Sequence, residues 1–156
     1  MRKLLAGVLF AALALAPAPA PAEVDLARAT WTLDGRAPAA APRVDVAEGA
    51  PALAELSFAR LGQRWACEFS SVEAATQRLA LRWQGAPDGL LFEVVLDGQR
   101  LAPPRDGWRP TPRVLASDLG GVWLGRGAHL LEFVAREKPG ADGARLRVSA
   151  LELGPP

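Results

Sequence analysis

The sequence predicts an all-β domain, a two-sheet antiparallel β-sandwich of about eight or nine short strands. Three observations point there. Apolar residues recur with period two in most segments, Pro and Gly punctuate the chain at short intervals, and Asp-Gly pairs follow apolar runs at Leu33 and Leu96.

A leader precedes that domain. Met1-Arg2-Lys3 is basic, and Leu4 to Ala16 is unbroken apolar sequence, shorter than the roughly 20 residues that span a bilayer as a helix. Basic start, short apolar core and small-residue exit read as a secretory signal. Ala20-Pro21-Ala22 supplies the small residues a cut requires, whereas cutting after Ala18 or Ala20 would leave Pro at the new N-terminus. The expected organisation is a signal peptide over 1–22 and one β domain over 23–156. Export to the periplasm or the extracellular space is expected, with no membrane span in the mature chain. No Cys follows the apolar run, so no lipid anchor is expected.

Taking 22 from 156 residues leaves 134, enough for one domain with a single core. The chain has 18 basic and 17 acidic residues. Arg2 and Lys3 leave with the leader and every acid lies beyond it, so the mature net charge is about −1. Without a basic block or stripe, nucleic acid is not an expected partner. Cys67 is the one cysteine, so no intramolecular disulfide can form. It alternates with Trp65 and Phe69, as a buried structural thiol would.

The elements follow in order. Ala29, Trp31 and Leu33 give a first strand ended by Asp34-Gly35, and the Ala- and Pro-rich residues 36–51 read as a surface loop. Ala54, Leu56 and Phe58 alternate, then Trp65, Cys67 and Phe69. Ser70-Ser71-Val72-Glu73 matches a capping box, predicting a helical turn over 72–76 before a strand from about 77 carrying Leu79, Leu81 and Trp83. Phe92, Val94 and Leu96 end in Asp97-Gly98, a tight-hairpin signal because both residues tolerate positive φ. Residues 102–112 are irregular. Short strands are expected near Val114-Leu115 and Val122-Leu124, and a stronger one over His129–Arg136. The closing strand, from about Arg145 to Leu153, changes parity between Val148 and Leu151, which predicts a bulge near Ala150.

The order Trp65…Phe69, Leu79-Ala80-Leu81-Arg82-Trp83, Phe92 to Gly98 resembles the middle of galactose-binding-like jelly rolls. Val122-Trp123-Leu124-Gly125-Arg126-Gly127-Ala128-His129, an apolar strand, a loop and Leu151-Glu152-Leu153 are similar to their ending. The similarity covers about residues 53–153. It implies a β-sandwich of jelly-roll type and kinship with the non-catalytic carbohydrate-binding modules of bacterial glycosidases. It also implies a structural calcium site, for which Glu23 and Asp25 could supply the first acids. Ser149 stands where the last Asp is expected, so neither a metal nor a cofactor is expected.

Chemistry is sparse. His129 is the one His, which rules out a multi-His metal site, and its place in a turn suggests a ring bonded to loop backbone. No Gly-x-Ser-x-Gly or phosphate-binding loop occurs, so a small hydrolase would need two carboxylates facing across a cleft. Aromatic faces remain. A pyranose packs its C–H face on an indole while its hydroxyls bond nearby polar groups. Trp31, Trp65 and Trp83 lie on alternating apolar faces and read as core. Trp108, in a Pro-rich loop beside Asp106 and Arg109, is the leading ligand contact, and Trp123 follows a Gly pair. Asp142 precedes the last strand, where the resembled modules line their site and commonly carry Asn. These residues predict a non-catalytic module for a carbohydrate or envelope glycan. The alternative is a structural or assembly protein that binds an envelope protein and has no small-ligand site.

Overall fold

The computed structural model describes residues 22–156; the signal peptide expected over 1–22 lies, Ala22 apart, outside them. Twelve strands and one 3-10 turn follow one another. They are β1 (Ala22–Asp25), the turn Leu26–Arg28, β2 (Trp31–Leu33), β3 (Arg43–Asp45), β4 (Leu53–Phe58), β5 (Arg64–Ser71) and β6 (Ala75–Gly85). Then come β7 (Leu91–Leu96), β8 (Gln99–Arg100), β9 (Arg105–Asp106), β10 (Arg113–Leu124), β11 (Gly127–Ala135) and β12 (Ala144–Gly154). One sheet has the order β10-β6-β12-β4-β3, with β1 paired to β12. The other runs β2-β5-β11-β7-β8, with β9 on β7. All these pairs are antiparallel.

Alternation explains how the sheets face each other. Leu79, Leu81 and Trp83 of β6 are buried, while Arg78, Ala80 and Arg82 look outward from the same strand. Leu56 and Phe58, Trp65, Cys67 and Phe69, Phe92, Val94 and Leu96, and Leu131 and Phe133 complete one core between the layers. Trp83 meets Phe92 edge to face with centroids 5.1 Å apart. Each buried indole has a partner for its N–H. Trp31 donates to the Leu26 carbonyl, Trp65 to that of Ser57 and Trp83 to the Ser117 hydroxyl. Cys67 lies among them, its thiol pushed up to about 12 by burial, which keeps it neutral and inert.

Four expectations need correction. The strands number twelve rather than eight or nine, because short pieces lie inside stretches that lack alternation: β3 within 36–51, and β8 and β9 around the 102–112 region. The two short strands near Val114 and Val122 are one strand, β10, whose register slips between Asp118 and Gly120. That bulge, with Gly120 at φ 88°, reverses the parity midway and conceals the continuity. No helical turn occupies 72–76. Residues 72–73 form a bend and β6 begins at Ala75. The Ser71 hydroxyl donates to the Glu73 carbonyl, and Val72 points into solvent, so no apolar face holds a helix there. Pairing along both sides of β6 prevails over the local capping signal. Finally, Ala29 precedes the first predicted strand, which starts at Trp31.

The turns and the last bulge stand as predicted. Asp34-Gly35 and Asp97-Gly98 have positive φ at both positions, and Leu96 faces Gln99 across the second. The register of β12 shifts between Val148 and Ala150.

Candidate functional site

The Trp108 loop is built against the β6–β7 connection. Main-chain bonds run from Ala86 N–H to the Gly107 carbonyl (3.1 Å), from Gly107 N–H to Leu90 (2.9 Å) and from Arg109 N–H to Ala86 (3.0 Å). Two glycines make that approach possible. A Cβ on Gly89 would stand 2.0 Å from the Gly107 oxygen, and one on Gly107 would stand 2.6 Å from the Leu90 oxygen. Asp106 accepts the Trp108 N–H at 2.9 Å, turning the chain so that the indole projects outward, 52% exposed. Arg109 folds back. Its stem lies on Gly85, its guanidinium sits 5.9 Å from the Trp83 ring centre, and one nitrogen donates to the Asp106 and Trp108 carbonyls. The backbone beneath Trp108 is thus fixed while its ring faces solvent, which suits stacking without a cost for ordering the loop backbone.

The five residues predicted to touch ligand are not all together. Asp106, Trp108 and Arg109 form one unit. Asp142 lies in the β11–β12 loop at the same end, since the Arg145 N–H that follows it bonds the Asp88 carbonyl. Trp123 is elsewhere. It faces outward opposite Thr76, whereas Trp108 bridges Ala86. Those partners, Thr76 in β6 and Ala86 just past its end, are ten residues apart, roughly 33 Å of extended chain.

Two ionisable groups, His129 and Asp88, are committed to structure. His129, 8% exposed, has both ring nitrogens engaged, with the Asp97 carboxylate at 2.7 Å and the Gly125 carbonyl at 2.8 Å. The backbone partner matches the sequence reading; Asp97, 32 positions away, is one that adjacency in sequence could not supply. Two acceptors favour the form with two N–H groups, so the His129 pKa is raised, first by the Asp97 hydrogen bond and then by the Gly125 carbonyl. Asp88 takes hydrogen bonds from Arg145 and Arg147, and the Arg147 bond above all holds it down to about 2. A carboxyl so acidic is no proton donor near neutrality.

The residues offered for calcium do not fit it. Glu23 faces Arg82, Asp25 accepts the Ala27 N–H and pairs with Arg28, and Ser149 is the buried extra residue of the β12 bulge. Among the described residues no three His, Cys, Asp or Glu side chains gather to hold a metal, and no helix is long and apolar enough to cross a membrane.

No protein-family model and no curated protein matches the chain. Solved structures do. Xanthan lyase from Paenibacillus superposes with a TM-score of 0.73 over 91% of this chain at 12% identity. A family 35 carbohydrate-binding module from Clostridium thermocellum gives 0.55 over 86% at 11% identity. A family 36 module in complex with calcium and xylotriose gives 0.53 over 85% at 12% identity. The fold is a two-sheet antiparallel β-sandwich of jelly-roll type. This jelly roll corresponds to 14% of the lyase but to 98% and 99% of the two modules. The similarity is one of architecture, and in jelly rolls function resides in the side chains mounted on it.

Proposed function

We propose that the protein is an exported, non-catalytic module that binds carbohydrate through Trp108, with Asp106 and Arg109 beside it. The observation carrying this reading is an exposed indole on a backbone fixed by three hydrogen bonds and two glycine contacts. A large apolar ring left in water on a rigid support is what a sugar's C–H face requires. Neighbours that are themselves carbohydrate-binding modules support the class of ligand. The leader sequence motivates export. The engagement of His129 and Asp88 in structure motivates a role without catalysis.

Binding isotherms and thermal melts of Trp108→Ala and Trp83→Ala against neutral polysaccharides test it. Trp108→Ala should weaken binding about thirtyfold, equivalent to about 2 kcal/mol for a central aromatic contact, with an unchanged melting temperature. Unchanged binding, or a melting temperature lowered as far as in Trp83→Ala, makes Trp108 a packing residue and sinks the proposal.

A further inference from the structure

The outer face of the β10-β6-β12 sheet carries a second exposed indole with surroundings of its own. Trp123 is 66% exposed, and the next outward position on β10 is Gly121, opposite Arg78. A Cβ at Gly121 would meet only the Thr76 methyl, at 3.9 Å, so the surface beside the ring is open. One row further, Asp118, Ala80 and Glu152 lie across three strands, and a depression of about 240 Å³ is floored by Ala80 and walled by Arg78, Asp118 and Glu152.

The polar groups here are held yet accessible. Asp118 accepts from the Gly120 N–H at 2.9 Å and from Arg78, while both side chains remain at least half exposed. Glu152 is held by Arg82. Each carboxylate keeps lone pairs, and each guanidinium keeps N–H groups, free for a hydroxyl partner. Arg78 and Arg82 balance Asp118 and Glu152, and at the rim Glu23 beside Arg82 offsets Arg105, which bonds the Asp118 carbonyl, so the patch has no net charge.

We infer that Trp123, with Arg78, Asp118 and Glu152, forms a second carbohydrate site specific for uncharged pyranose chains. The inference rests on the reading of the protein as a glycan binder. A flat apolar ring next to rigid planar hydrogen-bonding groups and an open floor is the composition such a ligand needs. Lying roughly 33 Å from Trp108 along the sheet, it makes the module bivalent on a polysaccharide. Occupying both sites on one polymer turns the second binding event intramolecular.

The indole N–H resonances of the five tryptophans provide the test. Xylotriose, mannotriose and laminaritriose are titrated into the protein and into its Trp108→Ala variant. A trisaccharide too short to bridge the two rings should shift the Trp123 signal in both proteins, leaving Trp31, Trp65 and Trp83 unmoved. Immobilised polysaccharide should retain Trp123→Ala on the order of 10²-fold less strongly than the parent, with melting unchanged. If the Trp108 signal shifts and that of Trp123 does not, the second site is overturned and the proposed function stands. If Trp123 alone shifts, the second site stands and the role given to Trp108 fails. No shift at either ring overturns both. A Trp123 signal that moves with protein concentration in the absence of sugar assigns the face to a second copy of the chain and overturns the glycan site.

Discussion

The two ends of the sandwich are fastened by different chemistry. At the Trp108 end, residues 107–109 are tied by main-chain hydrogen bonds and by approaches that only glycine permits at 89 and 107. At the other end, the Asp97-Gly98 turn is tied to the β10–β11 turn by ionisable side chains. Asp97 bonds His129 and the Leu130 N–H, and His129 bonds the Gly125 carbonyl. Peptide groups do not titrate and an imidazole does. One end keeps its geometry at any moderate pH, while the other loses a donor when His129 deprotonates.

Substitutions can break or sharpen that contrast. The largest effect belongs to Trp83, which lies under Arg109 at the peptide-fastened end. Trp83→Ala should cost about 3–5 kcal/mol of folding free energy, read by denaturant titration, and a loss below 1 kcal/mol would mean the end is not built on that ring. Next comes Gly107→Ala. A Cβ there collides with the Leu90 carbonyl, and overpacking of this kind costs about 1–3 kcal/mol. Its cost should be the same at pH 5.5 and pH 8. A pH-dependent cost would blur the distinction between the ends.

The side-chain end should behave differently. The pKa of His129 is raised above its ordinary 6.5, chiefly by the Asp97 hydrogen bond. Its stabilisation is therefore complete below about 6.5 and is lost as pH rises through the higher folded-state value. Partial burial works against charge on Asp97, yet bonds from His129 and Leu130 hold its pKa below the ordinary 3.8. That contribution disappears only as pH falls through the lowered value. His129→Gln should cost about 1.5–3 kcal/mol at pH 5.5, the range of a bond to a charged group, and less at pH 8. A parent protein whose stability is flat between those pH values would remove the contrast. The smallest effects on stability are expected for Trp108→Ala and Trp123→Ala, each within about 0.5 kcal/mol.

Period two made most of the core legible, down to Trp31, Trp65, Trp83 and Cys67, because a buried face imposes the same rhythm on any strand. Reading failed where local signals compete with distant pairing. Ser70-Ser71-Val72-Glu73 carries a real capping pattern, but strands β10 and β12 on either side of β6 override it. The Asp118–Gly120 bulge hid the length of β10 by inverting its alternation, although the same signature near Ala150 was readable between two apolar pairs. The exposure of Trp108 could be anticipated from its Pro-rich loop. The glycine contacts that fix the loop could not, since Gly89 and Gly107 are 18 positions apart and meet only in the folded chain. Trp123 was grouped with Trp108 because sequence carries no distance between the two ends of a strand.

The pairing of Ala22 with Leu153 bears on how the domain can be handled. It brings the first residues of the sandwich beside the last strand, near Trp123 and remote from Trp108. A biosensor chip or fusion partner attached through Pro156 would therefore hold the molecule upright, with the Trp108 loop presented to the medium and Trp123 close to the support. Attachment chemistry chosen at that terminus selects which aromatic platform a polymer can reach.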